Sequence, residues 1–383
     1  MRCPVLKELP PSPQGKTGWP WTKESPQLPD NMPYGSPWPK ISIVTPSLNQ
    51  GHFIEETIRS VLLQGYPKLE YIIIDGGSVD ESVKIIKKYE KWIAYWVSEK
   101  DKGQSQAINK GFKKCTGEIV AWLNSDDLYC KNTLSIIGHK FRTKSNMCLL
   151  YGDCIFINGD GNALRSVCSR DFQKNQIIDL NFIFQPSAFI KKSVVSELYY
   201  LDEKLNFAMD FDLWIRILKR YPSVYLPISL SMFRWHDDSK TMKKGLGFLL
   251  EDLYIAVKHS PEYFSDIAET IMSRYANDKG YPLDELYFEM KKTAYTKKDY
   301  RNLYQSLNKI ENRILSKSYV DKADIAYNQL DLIVARKHFL NAIRLFKGRA
   351  ISKEFLRLLP RVFLPRPLVQ LARRIRYYRT NVY

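Results

Sequence analysis

Four short apolar runs, each followed by a polar turn and most by a helical pattern, restrict this chain to a layered α/β fold. Ile41–Thr45 is β-branched and continuous, which suits a strand buried on both faces of a parallel sheet. A turn over Pro46–Gly51 follows, and then Ile54, Ile58, Val61 and Leu62 fall on one helical face. The second run, Tyr71–Ile74, closes on Asp75-Gly76-Gly77-Ser78, and Val83, Ile86 and Tyr89 mark the next helix. Trp92–Val97 and Glu118–Leu123 read as strands three and four, with a helix over Gln104–Lys114 between them. This alternation at short spacing is the signature of βαβ units. A mixed region then runs from Met147 to Trp235, with apolar stretches at Leu149–Ile157 and Phe182–Ile190 and a helix over Met209–Arg220.

The rest of the chain differs in texture. Residues 1–39 are dense in Pro and Trp (Trp19, Pro20, Trp21, Pro37, Trp38, Pro39), which excludes helix and central strand. The tryptophans suggest an extended arm lying on the main domain. Residues 40–240 hold the α/β domain, and 241–383 read as helical and basic. Ala326, Leu330, Ile333, Ala335, Phe339, Ala342 and Leu345 keep helical spacing, as in an ordinary helix pair or a lone tetratricopeptide-like repeat. With 44% hydrophobic residues in 383, a sizeable core is available. No CxxC pair occurs among the six cysteines, so buried thiols in a reducing compartment are expected. No apolar run reaches the length of a membrane span, so the chain reads as cytoplasmic. The formal charge of +17 points to anionic partners. The basic amphipathic stretch after Phe346 would suit an anionic membrane surface on the inner face, or a helix packed on the catalytic domain with a solvated basic side.

In open parallel sheets ligands bind at the carboxyl ends of strands. Here those ends read Thr45-Pro46-Ser47-Leu48-Asn49, Asp75-Gly76-Gly77-Ser78-Val79-Asp80, Ser98-Glu99-Lys100-Asp101-Lys102-Gly103 and Asn124-Ser125-Asp126-Asp127. Adjacent carboxylates after a strand as apolar as Ile119–Leu123 repel each other and need a cation or hydrogen-bond donors. Oxygen ligands with a substrate diphosphate suit Mg²⁺ or Mn²⁺. Ser125 or Asp126 could instead cap a following helix. Neither GxGxxG nor GxxxxGK[ST] is present, so phosphates must be met by a metal and basic side chains. Lys102, at the start of the Gln104 helix, could meet donor oxygens or sit in a plain surface turn.

The segments ISIVTPSLNQ (41–50), IIIDGGSVD (72–80), GEIVAWLNSDD (117–127) and MDFDLW (209–214) together resemble the successive motifs of the family 2 glycosyltransferases. The resemblance spans roughly residues 40–240 and implies a GT-A fold: a Rossmann-like, mostly parallel central sheet flanked by helices, here with a helical basic extension. It implies an inverting, metal-dependent transferase. Thr45, Pro46 and Asp75 would surround the nucleobase, with Asn49 and Lys102 completing the donor side. Asp126 and Asp127 would hold the ribose and the metal-bound diphosphate, with Asp127 as the metal ligand and Asp210 as catalytic base. In similar enzymes a histidine near His236 reaches the metal or diphosphate, although a structural histidine fits that position as well. Gln185 and Asp212 are expected on the acceptor side, with Asp212 also a candidate structural residue. Many relatives carry two acids where this chain has Asp75-Gly76, and an acid where it has Asn124, so the choice of nucleobase is left open.

The expected function is therefore sugar transfer from a nucleotide-sugar donor, a UDP-sugar by family frequency, to a glycan, lipid-linked or other hydroxyl acceptor. A sugar-phosphate nucleotidyltransferase would carry a Gly-rich basic loop after strand one, which Pro46–Gln50 lacks. A non-catalytic nucleotide-sugar or nucleic-acid binder is the remaining alternative. The basic tail has no RNA-recognition motif, so no nucleic-acid partner is expected.

Overall fold

The computed structural model describes residues 1–33, 35–144, 146–170, 183–236, 245–329, 331–345 and 353–363. The chain forms two compact units, Met1–Lys244 and Gly245–Tyr383. In the first unit the elements are β1 (Ile41–Ser47), α1 (Ile54–Leu62), β2 (Leu69–Asp75), α2 (Ser82–Tyr89), β3 (Tyr95–Ser98), α3 (Gln104–Lys114) and β4 (Ile119–Trp122). There follow β5 (Leu128–Tyr129), α4 (Thr133–Thr143), β6 (Leu149–Ile157), β7 (Ala163–Val167), β8 (Ala188–Lys191), α5 (Lys192–Glu197), α6 (Met209–Leu218) and β9 (Ser223–Arg234).

One sheet runs in the order β3-β2-β1-β4-β8-β6-β9-β5, with β7 paired to β6. Strands β3, β2, β1 and β4 are parallel, as the βαβ pattern requires. Beyond β4 the sheet is mixed: β8 runs antiparallel to β4 and β6, while β6 and β9 are parallel. The expectation of a mostly parallel sheet therefore holds for this half only. Strand three begins at Tyr95 rather than Trp92, because Glu90–Trp92 closes a 3-10 turn. Phe182 of the apolar run expected over Phe182–Ile190 lies outside the described residues, and the run's described part turns through a 3-10 turn at Gln185–Ser187 before β8, where Pro186 lacks an N–H for the ladder.

Both faces of β1 and β2 are covered, and every residue of the two strands is buried. On one face α3 comes so close that a Cβ on Gly111 would lie 2.3 Å from Val44 Cγ1, so only glycine fits there. Trp122, the last residue of β4, stacks on Trp214 of α6 at 5.6 Å and meets Phe112 of α3 edge-on at 5.9 Å. Thus α6 is set on the sheet beside α3. The register aligns Ser47 with Asp75 and Asp75 with Ser98. The polar strand ends therefore form one row along the carboxyl edge.

The Pro/Trp-rich arm is part of this unit. Cys3, Leu9, Trp21, Met32 and Trp38 are buried. Arg59 of α1, only 1% exposed, holds the arm: its guanidinium donates to the carbonyls of Pro10 (2.8 Å), Pro20 (3.2 Å) and Trp21 (3.0 Å). It also lies 5.3 Å from the Trp21 ring centroid.

The second unit is helical: α7 (Leu246–His259), α8 (Phe264–Lys279), α9 (Leu283–Thr296), α10 (Arg301–Asn328), α11 (Leu332–Leu345) and α12 (Lys353–Phe363). Ala335, Phe339 and Ala342 of α11 pack on Val320 and Ala323 of α10, with Leu358 and Val362 of α12 in the same cluster. Among the described residues no helix is long and apolar enough to cross a membrane. Of the basic stretch after Phe346 behind the membrane expectation, residues 353–363 form α12, whose Leu358 and Val362 pack in this cluster, and residues 346–352 and 364–383 lie outside the described residues.

Candidate active site

The row of strand ends is knitted together by its own side chains. Asp75 is fully buried, and its Oδ2 accepts from Gly77 N–H (3.1 Å), Ser78 N–H (2.8 Å) and Ser98 Oγ (2.6 Å). Its Oδ1 accepts from Ser78 Oγ at 2.5 Å. These bonds fold the loop after β2 into a tight turn in which Gly77 has φ +87°. The loop after β1 is zipped onto it: Asn49 N–H donates to Ser78 Oγ (2.7 Å), and Asn49 Oδ1 accepts from Val79 N–H (3.0 Å). Asn49 itself is exposed with φ +53°. Thr45 lies beneath this surface at 0% exposure, its Oγ1 accepting from Tyr71 Oη at 3.0 Å, and Pro46 is buried beside it. Lys102 is exposed in the β3–α3 turn, and neighbouring Asp101 reaches Gly76, where an added Cβ would lie 2.6 Å from its Oδ2.

The acidic turn after β4 separates its two carboxylates. Asp127 points inward and is 1% exposed; its Oδ1 accepts from Arg234 N–H at 2.9 Å and its Oδ2 lies 3.4 Å from Asn124 Nδ2. Burial, and next the charge of Asp126, push the Asp127 carboxyl well above the ordinary range, while Arg234 and Asn124 pull the other way. Asp126 is turned outward at 19% side-chain exposure, with Oδ2 3.1 Å from His236 Nε2. The His236 ring packs on Phe53 at 4.7 Å between centroids. The metal-ligand expectation for Asp127 thus meets a carboxyl enclosed by the chain, whereas Asp126 presents the accessible oxygens.

Behind the turn stands Arg234, 1% exposed. Its guanidinium donates to Asp126 O (2.8 Å), Gly159 O (2.9 Å) and the Glu56 carboxylate (2.8 Å), and sits 4.9 Å from the Phe53 ring. Thr57 Oγ1 adds contacts of 2.9 and 2.8 Å to the carbonyls of Ser125 and Asp127. Sequence reasoning missed Arg234 and Glu56. The available signal was Arg234 itself, a lone cation closing an otherwise uncharged strand, which requires a partner if buried.

A neutral ladder crosses the same edge. Gln104 Nε2 donates to Asn124 Oδ1 (2.8 Å), Asn124 Nδ2 donates to Gln185 Oε1 (3.2 Å), and Gln185 Nε2 donates to Trp122 O (2.7 Å). Gln185 is thereby drawn to the acidic turn. Asn124, read from sequence only as a departure from the family pattern, is the ladder's centre. On α6, Asp210 is half-buried in the first turn, with Phe211 N–H donating to its Oδ1 at 2.8 Å. It lies four residues before Trp214 and so shares that face of the helix. The segment leading to α6 touches the start of α3: Ser105 Oγ donates to Leu205 O at 2.6 Å, and a Cβ on Gly103 would lie 3.1 Å from Asn206 Oδ1.

Asp212 has a different setting from the acceptor-side role expected of it. It is 0% exposed and paired with Arg216 Nε at 2.8 Å. Arg216 also donates to Leu198 O (2.7 Å) and Tyr200 O (2.8 Å), bracing a turn in which Tyr199 and Tyr200 have φ of +58° and +67°. A carboxylate held this way supports the fold and does not face a substrate.

Residues 42–197 match the model of the family described as Glycosyl transferase family 2. An uncharacterised glycosyltransferase of Rickettsia typhi is 27% identical over 224 residues, covering 56% of this chain and 69% of that protein. Relatives in Rickettsia felis and Rickettsia conorii are both 28% identical, and the chain spans only 43% and 35% of their lengths. The putative teichuronic acid biosynthesis glycosyltransferase TuaG of Bacillus subtilis is 39% identical over 99 residues, 25% of this chain and 39% of that one. Among solved structures, S. aureus TarS 1–349 in complex with UDP-GlcNAc superposes with a TM-score of 0.55 at 15% identity, covering 82% of this chain and 95% of that one. The fold, the acidic turn at the end of β4 and the family match agree: residues 42–197 of this chain belong to a family 2 glycosyltransferase domain of GT-A architecture.

Proposed function

We propose that the chain transfers a sugar from a nucleoside-diphosphate donor, a UDP-sugar first among them, to a hydroxyl acceptor with inversion at the anomeric carbon. The observation that carries this reading is the division of labour in the acidic turn. Asp127 is locked inward onto Arg234, which leaves Asp126 facing outward beside His236. One carboxylate and one imidazole suit a divalent cation that takes its other ligands from water and the donor diphosphate. The metal assignment accordingly moves from Asp127 to Asp126, with His236 as its companion. When bound, Mg²⁺ or Mn²⁺ supplies charge neutralisation to the departing diphosphate.

The remaining steps belong to the chain's own groups. The Asp75 turn and the Asn49 loop shape the nucleobase end, with Asp75 as a positioning residue because its carboxylate is engaged by four internal donors. Lys102 lies on the donor side of the β3–α3 turn, where a cation meets phosphate charge. Asp210 takes the proton of the acceptor hydroxyl, whose oxygen bonds to the anomeric carbon as the bond to the diphosphate breaks. Asp210 sits in the first turn of α6, where the helix N-terminus favours negative charge. Gln185, held by Asn124 and Trp122, borders the acceptor half.

The reading is supported by TarS, a GT-A neighbour whose structure contains UDP-GlcNAc. The test is a thermal-shift screen of nucleotides and sugar nucleotides with Mn²⁺, followed by an assay of UDP release. A raised midpoint with a sugar nucleotide and slow Mn²⁺-dependent UDP release are expected. Binding without any turnover would favour the non-catalytic alternative, and no nucleotide binding would remove the reading.

A further inference from the structure

Beside the acidic turn lies a set of aromatic rings that donor chemistry does not use. Phe156 of β6 stacks on Trp235 at 5.6 Å and 27°. It also meets Phe233 of β9 at 5.3 Å and Phe184 edge-on at 5.8 Å. Phe156 faces Phe233 across the β6–β9 ladder and Arg165 across the β6–β7 ladder. The exposed Arg165 guanidinium lies 5.2 Å from the Phe156 centroid. All four rings are half-buried. Rings that only packed the core would be closed over, as Phe189 and Trp122 are at 0% and 2% exposure. A contiguous aromatic cluster left partly open suits contact with a ligand that has an apolar face.

Its position says what it would bind. Trp235 directly precedes His236, and Phe184 directly precedes Gln185, so two separate elements each carry a patch ring next in sequence to a candidate-site residue, with Phe233 and Trp235 on the face of β9 opposite Arg234. We infer that Phe156, Phe184, Phe233 and Trp235 form a platform for the pyranose rings of an oligosaccharide acceptor, which would make the acceptor an existing glycan chain. This rests on the sugar-transfer reading above. A pyranose ring has a flat face of C–H groups and a rim of hydroxyls. The face matches an aromatic ring, whose quadrupole attracts C–H hydrogens, and the rim matches a guanidinium donor such as Arg165. Several adjoining rings suit consecutive sugars better than a single one.

The experiment titrates cellotetraose, chitotetraose and mannotetraose into the full chain by calorimetry and saturation-transfer NMR, with a UDP-sugar titration run in parallel. At least one tetrasaccharide should bind, and its monosaccharide should bind at least about tenfold more weakly. Trp235→Ala and Phe156→Ala should weaken that binding by about tenfold or more, while UDP-sugar affinity stays within about twofold. Trp235→Phe should restore it and Trp235→Leu should not. A lipid or protein surface would accept leucine, so retention in Trp235→Leu overturns the inference. So does the absence of binding by all three tetrasaccharides in a protein that binds the UDP-sugar. A protein that binds no nucleotide sugar at all would instead remove the sugar-transfer reading. Unchanged thermal midpoints for Trp235→Leu and Trp235→Phe establish that both variants are folded.

Discussion

Glu70 offers a sharp test of how the amino ends of the central strands are fastened. It sits in β2 with 9% side-chain exposure, and four donors converge on it. Lys40 Nζ (2.7 Å) and Thr116 Oγ1 (2.6 Å) reach Oε1, while Ser42 Oγ (2.6 Å) and Thr116 N–H (2.6 Å) reach Oε2. Burial alone would raise the carboxyl, but the bonds from Lys40, Ser42 and Thr116 outweigh it and hold the pKa at about 2, against an ordinary 4.5. The gap of about 2.5 pH units corresponds to an upper value of about 3.4 kcal/mol. Lys40 is 39% exposed and solvent screens it, so about 2 kcal/mol is expected at neutral pH. Because the folded pKa lies below the unfolded one, this stability is present above pH 4.5 and is lost as the pH falls toward 2, with more than half gone by about pH 3. Urea midpoints for the wild type and Glu70→Gln at pH 7, 5, 4 and 3 measure it. The difference should be about 2 kcal/mol at pH 7 and should shrink steadily below pH 4.5. A difference that is the same at pH 7 and pH 3, or absent at pH 7, refutes the reasoning.

Three further outcomes follow from the site. Asp126→Asn should abolish Mn²⁺-dependent binding of UDP-sugar with the thermal midpoint kept, whereas Asp127→Asn should lower the midpoint; the reverse pattern would return the cation to Asp127. Asp210→Asn should cut transfer by roughly 10²–10⁴-fold and leave donor affinity unchanged; calorimetry that shows affinity falling with the rate would place Asp210 in the donor site. Arg234→Met leaves the Glu56 carboxylate and the Asp126 carbonyl without their donor, so unfolding free energy should drop by about 3–5 kcal/mol, and a loss under about 1 kcal/mol by denaturant titration would show that water replaces the guanidinium.

The parallel half of the sheet was legible because β1, β2 and β4 are buried on both faces. Continuous runs such as Tyr71–Ile74 admit few other readings, and the α3 limits Gln104 and Lys114 follow from a clean helical face between two turns. The row of strand ends was legible for the same reason, since a parallel sheet puts every carboxyl end on one edge. What escaped was long-range. Nothing local to Arg234 says that it pairs with Glu56, 178 residues away. Nothing in Asn124-Ser125-Asp126-Asp127 says which acid turns inward, because that depends on where β9 brings the Arg234 N–H. The aromatic patch is similarly assembled from β6, β9 and a 3-10 turn, whose rings are scattered in sequence. The mixed order of β8, β6 and β9 escaped because antiparallel and parallel neighbours impose the same apolar pattern on a covered strand.

The arm held by Arg59 has a consequence for the order in which the molecule assembles. Residues 1–39 precede all their anchors along the chain: Arg59 in α1, the Tyr66 carbonyl that accepts from Cys3 N–H (2.9 Å), and the Tyr129 carbonyl that accepts from Trp19 Nε1 (2.9 Å). Until the chain has grown past Tyr129, the arm has no complete seat, and its tryptophans remain in water. The arm therefore completes its docking only after the residues that seat it, closing the core to which Cys3, Leu9, Met32 and Trp38 contribute. Where such contacts are absent from the folding transition state, they act on the rate of unfolding rather than of folding. On that condition, loosening the arm shortens the lifetime of the folded state without slowing its formation.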